Sequence, residues 1–266
     1  MSTAWFRTEH EQDELARSTR EAAQTVLVPV EIERYLHPTE DTVFHLEYAF
    51  YLLGDVRDKK VVDLGCGSGE KLIPLAVRGA DVIGIDLSPD LVELASQRFE
   101  NYLVAEDGCR DCRCPIVSKN KVQFKVGSAY ATGLPDESVD VVFALALFHH
   151  LEDLERTRKE IQRILRPNGF LVLREPVRFS KKIVALRPLF RAPRGEISAY
   201  EHPMTRRELE VISEGFELVA ERYFRLPFVA LLDRKEARQA SDWMLEKFPA
   251  LKHWATVIVR KLEWRP

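Results

Sequence analysis

Short apolar runs alternate with amphipathic segments along most of the chain, and this alternation predicts its element order. Residues 61–64 and 82–85 are β-compatible runs, typical of strands buried on both faces of a parallel sheet. A helical pattern over residues 70–78 separates them and ends at Gly79. Strand, helix, strand is the repeating unit of a doubly wound sheet, so the pattern predicts an α/β fold.

The same rhythm recurs along the rest of the chain, with breaks over about residues 101–120 and 177–203. Further strands are predicted at residues 122–126, 141–146, 170–174, 216–224 and 255–262, with helices from Ser88, over 152–165, from Thr205 and over 233–247. A helix is also predicted over residues 39–53, with Thr39 as its cap. We expect four regions: an N-terminal helical cap (1–56), a core (57–176), a lid (177–204) and a C-terminal completion of the sheet (205–266).

Composition narrows the functional class. The chain has 266 residues and a net charge of −3, which does not favour a general nucleic-acid binder. The longest apolar run, Val141 to Phe148, is too short to span a bilayer, and the first residues are polar without the apolar stretch of a secretion signal. We therefore expect a cytoplasmic protein.

Three of the four cysteines, Cys109, Cys112 and Cys114, lie together in an insertion that the core rhythm does not need. Their spacing is not that of a secreted disulfide framework. A structural zinc site needs four ligands, so a histidine or a second copy of the chain would have to complete one here. We expect a reduced surface insertion and no metal, with the zinc site as the alternative.

The most specific motif is the turn after the first strand, where Gly65, Gly67 and Gly69 alternate. A sharp strand-to-helix turn favours glycine and exposes backbone N–H groups to a polar ligand. Asp86 ends the second strand about 20 residues later, the spacing at which a carboxylate reaches ribose hydroxyls. Nicotinamide-binding turns read G-x-G-x-x-G, whereas this turn reads G-x-G-x-G and then Glu70. Asp63 also suits an ammonium group better than a pyrophosphate.

These residues resemble the first motifs of the class I S-adenosylmethionine-dependent methyltransferases, in particular the group that includes ubiquinone and menaquinone biosynthesis enzymes. The resemblance extends over residues 59–176. It implies S-adenosylmethionine as cofactor and a seven-stranded Rossmann-like sheet whose last strand is antiparallel. Ser128 is a departure, because the family often has aspartate there, facing the adenine amine. The implied cofactor-binding residues are Asp63, Gly65, Cys66, Gly67, Gly69, Asp86, Leu87, Ser128 and Ala129.

His149, His150 and Glu175 are the candidate catalytic residues. They follow the fourth and fifth strands, and ligands of doubly wound folds bind at the carboxyl ends of the strands. A protonated oxygen or nitrogen acceptor needs a base, and imidazole titrates near neutral pH.

The favoured function is methylation of an O, N or C nucleophile of a small molecule. The lid carries six basic residues before its first acid, Glu196, and we expect a solvated cover with an apolar underside. The alternative is a lid that meets an anionic or lipophilic acceptor, or a membrane surface where such a substrate resides. The alternatives are methylation of RNA or protein, a nicotinamide-dependent oxidoreductase, and a non-catalytic S-adenosylmethionine-binding module. The sequence leaves the oligomeric state open.

Overall fold

Seven strands form one sheet in the computed structural model, which describes residues 9–108, 117–179, 202–227, 229 and 234–266. Apolar β-branched residues dominate the central strands, which are buried on both faces. The strands are β1 (Lys60–Leu64), β2 (Asp81–Asp86), β3 (Val122–Val126), β4 (Val139–Leu145), β5 (Leu165–Pro176), β6 (Phe216–Phe224) and β7 (Val257–Trp264).

The strand order is β3-β2-β1-β4-β5-β7-β6. The first five strands pair in parallel, and β7 runs antiparallel to both β5 and β6. The predicted doubly wound sheet with an antiparallel last strand is therefore confirmed. The order reverses direction at β1 and β4, and this switch point opens a crevice at the carboxyl ends of these two strands.

Helices cover both faces of the sheet in the described part of the chain. Helices α3, α4 and α5 contribute to the hydrophobic core on one face, and α6, α7 and α8 contribute to the core on the other. The helices are α1 (Glu9–Gln24), α2 (Glu33–Leu36), α3 (His45–Leu53), α4 (Leu72–Val77), α5 (Pro89–Gly108), α6 (Leu154–Ile164), α7 (Arg206–Ser213) and α8 (Lys235–Lys247). No helix within these ranges is long and apolar enough to cross a membrane.

Local start signals were good predictors of most helix boundaries. Ser88 Oγ accepts from Leu91 N at the start of α5, and Thr205 and Glu208 form the predicted capping box of α7. The helix predicted from Thr39 is wrong at its start, since it begins at His45. Thr39 Oγ1 bonds the side chain of Asp41, so it does not cap, and residues 39–42 form a turn instead.

The lid lies mostly outside the described residues, as do Cys109, Cys112 and Cys114. Its two ends nevertheless meet beside β5. Val177 bridges Met204, and Arg178 N donates to Met204 O at 2.9 Å. The lid is thus inserted at the carboxyl end of β5, while the four region boundaries stay predictions.

Candidate cofactor and catalytic site

A cavity of about 260 Å³ opens at the switch point, where the turns after β1, β2, β3 and β4 converge. Helix α1 lies over it and supplies several of its lining residues. Six predicted cofactor residues share this cavity, although the sequence spreads them over more than 60 positions: Gly65, Gly67, Asp86, Leu87, Ser128 and Ala129.

Asp86 holds the glycine turn and also lines the cavity. Its Oδ2 accepts from Gly67 N at 2.9 Å, and its Oδ1 accepts from Ser88 N at 2.9 Å. Burial raises the pKa of Asp86, and these two hydrogen bonds oppose the rise. The carboxylate is thus fixed by backbone donors from two turns, which keeps its position defined before any ligand arrives.

Asp63 lies at the end of β1 and is buried, so it does not line the cavity. Burial raises its pKa to about 7, and the nearby Lys71 opposes the rise. Its Oδ2 has no hydrogen-bond partner among the described residues. A buried carboxylate oxygen without a partner is costly, so this position suits a ligand that brings a cationic donor.

Cys66 and Gly69 also lie outside the cavity lining and contribute to the packing of the turn. The Cys66 thiol is buried, and burial raises its pKa well above the ordinary value, which makes it unreactive. Gly69 has φ +80°, and a Cβ placed there would lie 2.7 Å from Ala95 Cβ of α5. Glycine is therefore required for the close approach of the turn to this helix.

Glu175 connects the ends of β4 and β5. It is fully buried, and its Oε1 accepts from Leu147 N at 2.8 Å and from Phe148 N at 2.9 Å. Its Oε2 lies 2.7 Å from His149 Nδ1. An ionised Glu175 accepts in this contact, so His149 Nδ1 is the donor.

The two histidines are placed differently. Their ring centroids are 4.0 Å apart, and His150 lines the cavity whereas His149 and Glu175 do not. His150 Nδ1 lies 3.7 Å from Glu14 Oε2 of α1. The structure therefore brings the three predicted catalytic residues into one cluster and places His150 on its cavity side.

From the sequence, the segment up to about residue 24 could be a frayed tail or a helix closing over a ligand, and the structure places helix α1 at the cavity. Its cavity-lining residues are polar, and their pattern does not mark a core helix: His10, Glu11, Glu14, Arg17, Ser18 and Glu21. Glu11, Glu14, Ser18 and Glu21 do recur at helical spacing, which is the one signal that was available. Thr19 Oγ1 donates to Asp90 Oδ2 at 2.8 Å and helps to hold α1 on α5.

A family model described as a methyltransferase domain matches residues 62–173. Over 115 residues the chain is 34% identical to 27-O-demethylrifamycin SV methyltransferase of Amycolatopsis mediterranei (strain S699), which covers 43% of this chain and 37% of the relative. It is 29% identical over 122 residues to demethylmenaquinone methyltransferase of Chlorobaculum parvum (strain DSM 263 / NCIMB 8327), covering 46% of this chain and 42% of the relative. The chain thus covers less than half the length of these two relatives.

The fold resemblance extends further along the chain. Geranyl diphosphate C-methyltransferase from Streptomyces coelicolor A3(2) superposes with a TM-score of 0.61 at 15% identity, covering 96% of this chain and 98% of that one. That structure was determined in complex with Mg²⁺, geranyl diphosphate and S-adenosyl-L-homocysteine. At this identity the likeness concerns the fold alone.

Proposed function

We propose that the core of this chain is a class I S-adenosylmethionine-dependent methyltransferase domain and that the protein methylates a small molecule. One observation carries the proposal. Asp86 and the glycine turn line one cavity at the switch point of a methyltransferase-type sheet, and near the end of β1 lies the buried Asp63 Oδ2, which has no hydrogen-bond partner in the described part of the chain. This arrangement offers acceptors for hydroxyl groups and for an ammonium group within one site.

The residues present fit S-adenosylmethionine. Asp86 would hold the ribose hydroxyls, and Asp63 would hold the ammonium of the amino-acid part, directly or through water. Gly67 lines the cavity, and a Cβ there would meet nothing within 4 Å, so the turn leaves open space for a ligand. When bound, the cofactor supplies a methyl group already activated on a sulfonium.

The protein's contribution is then positioning and exclusion of water, which together supply up to about 7 to 11 kcal/mol of a barrier. Helix α1 covers the cavity and limits its access to solvent. We propose that the His149–His150 pair supplies the proton acceptor for a nucleophile that starts protonated, with His150 on the cavity side and His149 held by Glu175. Glu175 is the positioning residue that fixes the ring, and His150 forms the cavity wall beside it.

A small acceptor is favoured because the net charge of −3 does not indicate a nucleic-acid-binding module, and because relatives named above act on a rifamycin and on demethylmenaquinone. The basic residues of the lid would suit an anionic acceptor, and its apolar residues a lipophilic one. Methylation of RNA or protein would instead use the lid arginines as a docking patch, and steep salt dependence of binding would support it.

Calorimetric titration with S-adenosylmethionine, S-adenosylhomocysteine and NAD in parallel tests the cofactor. We expect binding of the first two and none of NAD. Acceptor panels of phenols, amines and lipid-like compounds, each with and without an anionic group, are then screened for release of S-adenosylhomocysteine. Binding of NAD alone would overturn the proposal, and cofactor binding without transfer to any acceptor class would favour the non-catalytic module.

A further inference from the structure

Glu11 of α1 is a charged residue buried at one end of the cavity. Only 8% of its surface is exposed, and its Oε1 accepts from Ser128 Oγ at 2.6 Å. The two residues are 117 positions apart in the sequence. Both line the cavity, so the carboxylate of Glu11 belongs to its wall.

The position of this pair within the sheet indicates which part of a nucleoside it meets. Ser128 follows β3, which lies beside β2 on the side away from β1 and the glycine turn. Gly127 N donates to Asp86 O at 2.9 Å, so the Glu11–Ser128 pair adjoins the predicted ribose contact. In a nucleoside the base and the 5′ substituent leave the ribose in different directions. A nucleoside whose 5′ substituent meets the glycine turn would therefore have its base toward Glu11 and Ser128, in the part of the cavity that Leu87, Leu91 and Ala129 also line.

The hydrogen-bonding capacity of the pair identifies the group that meets the base. Ser128 Oγ accepts from Tyr130 N at 3.1 Å and gives its one hydrogen to Glu11. It has little capacity left for a ligand. A carboxylate offers about four acceptor sites, so Glu11 can accept from several donors at once, Ser128 Oγ among them.

We propose that Glu11 recognises the exocyclic amine of the adenine base, a role that rests on the proposed cofactor. Ser128 is then the positioning residue that orients the carboxylate. Since an ionised carboxylate accepts and does not donate, the site selects a 6-amino purine over a 6-oxo purine. It also makes α1 part of the base-binding site, so that base binding stabilises the covering position of this helix.

The experiment compares binding of S-adenosylhomocysteine and of S-inosylhomocysteine, in which a 6-oxo group replaces the amine. The wild-type protein is expected to prefer the amine by about tenfold or more, the scale of a hydrogen bond to a charged group. Glu11→Gln places an amide that both accepts and donates, so the preference should fall to about threefold or less, with the 6-oxo analogue gaining affinity. Glu9→Ala, at an exposed position of the same helix, is the control and should retain the preference.

A rescue variant separates recognition from helix stability. Glu11→Ala is expected to lower the affinity for S-adenosylhomocysteine about tenfold or more. Adding Ser128→Asp to this variant should restore part of the affinity, because it returns a carboxylate to the site. Unchanged discrimination in Glu11→Gln would overturn the proposal while leaving the cofactor assignment intact. Failure of the wild-type protein to bind either analogue would instead overturn the proposed function.

Discussion

His149 Nδ1 and Glu175 Oε2 lie 2.7 Å apart at the point where β4 and β5 end side by side. The same carboxylate accepts from two backbone N–H groups of the β4 turn, so one fully buried side chain fixes both the loop and the ring. This arrangement supports the proposal that the histidine pair acts as a base held by an orienting carboxylate.

Replacement of His149 should impair transfer without impairing cofactor binding. For a phenol or amine acceptor, we expect His149→Gln to lower kcat about 100-fold or more, the usual scale of general-base catalysis. The calorimetric Kd for S-adenosylmethionine should stay within about twofold, because His149 does not line the cavity. His37→Gln, at an exposed position, is the control.

Glu175→Gln should produce the same pattern, a lower kcat with little change in the Kd for S-adenosylmethionine. The amide cannot accept from Leu147 N, Phe148 N and His149 Nδ1 as the carboxylate does, so ring orientation is lost. The measurement is kcat against pH for the wild type and both variants. Full activity in His149→Gln together with loss in His150→Gln would assign the base to the histidine on the cavity wall.

Loss of the Asp86 carboxylate should weaken cofactor binding. We expect Asp86→Ala to weaken the binding free energy of S-adenosylmethionine by about 1 to 3 kcal/mol, the cost of unpaired polar groups. Thermal stability should fall as well, since Gly67 N and Ser88 N lose their acceptor. Glu93→Ala, exposed on α5, serves as the control, and an unchanged Kd in Asp86→Ala would show that the ribose contact is misplaced.

Asp63 predicts a pH dependence with a defined sign. The ordinary pKa of 3.8 rises to about 7 in the folded protein, so the folded state holds this proton where the unfolded state has lost it. The free energy of unfolding of the ligand-free protein should therefore fall as pH increases from about 4 to about 7, and level off above. Asp63→Asn should remove this contribution, which chemical denaturation at several pH values measures.

Cofactor affinity should show the opposite trend. An ammonium group pairs with ionised Asp63, so binding should tighten by up to about tenfold per pH unit as pH rises toward about 7, then level off. The charged neighbours that tune this titration are Lys71, which lowers the pKa, and Asp86, which raises it. A calorimetric series that gives the same pH dependence in the wild type and in Asp63→Asn would contradict the ammonium contact.

Two glycines of one turn should respond differently to alanine. Gly69→Ala adds a Cβ 2.7 Å from Ala95 Cβ at φ +80°, so we expect a loss of about 2 to 4 kcal/mol of stability. Gly67→Ala meets nothing within 4 Å at φ +53° and should lose only about 1 to 2 kcal/mol. Because Gly67 lines the cavity, Gly67→Ala should instead lower the affinity for the cofactor. Thermal melts and cofactor Kd values of the two variants test this contrast. Equal melting temperatures would contradict it.

The sequence by itself determined the sheet and the glycine turn. Hydrophobic periodicity and capping signals act within one element, so each strand and most helix ends were predictable from neighbouring residues. The link from Gly65 to Asp86 also lies within one strand-helix-strand unit. The number of residues between the glycine turn and Asp86 was therefore enough to predict that they lie close together.

Only the tertiary structure decided which distant polar groups meet. Glu11 reaches Ser128 across 117 positions, and Glu175 reaches His149 across 26. A hydrogen bond between such residues leaves no periodic trace in either segment, because it depends on how whole elements pack. The polar face of α1 was unassigned in the sequence for the same reason: its partner is the cavity that the assembled sheet creates.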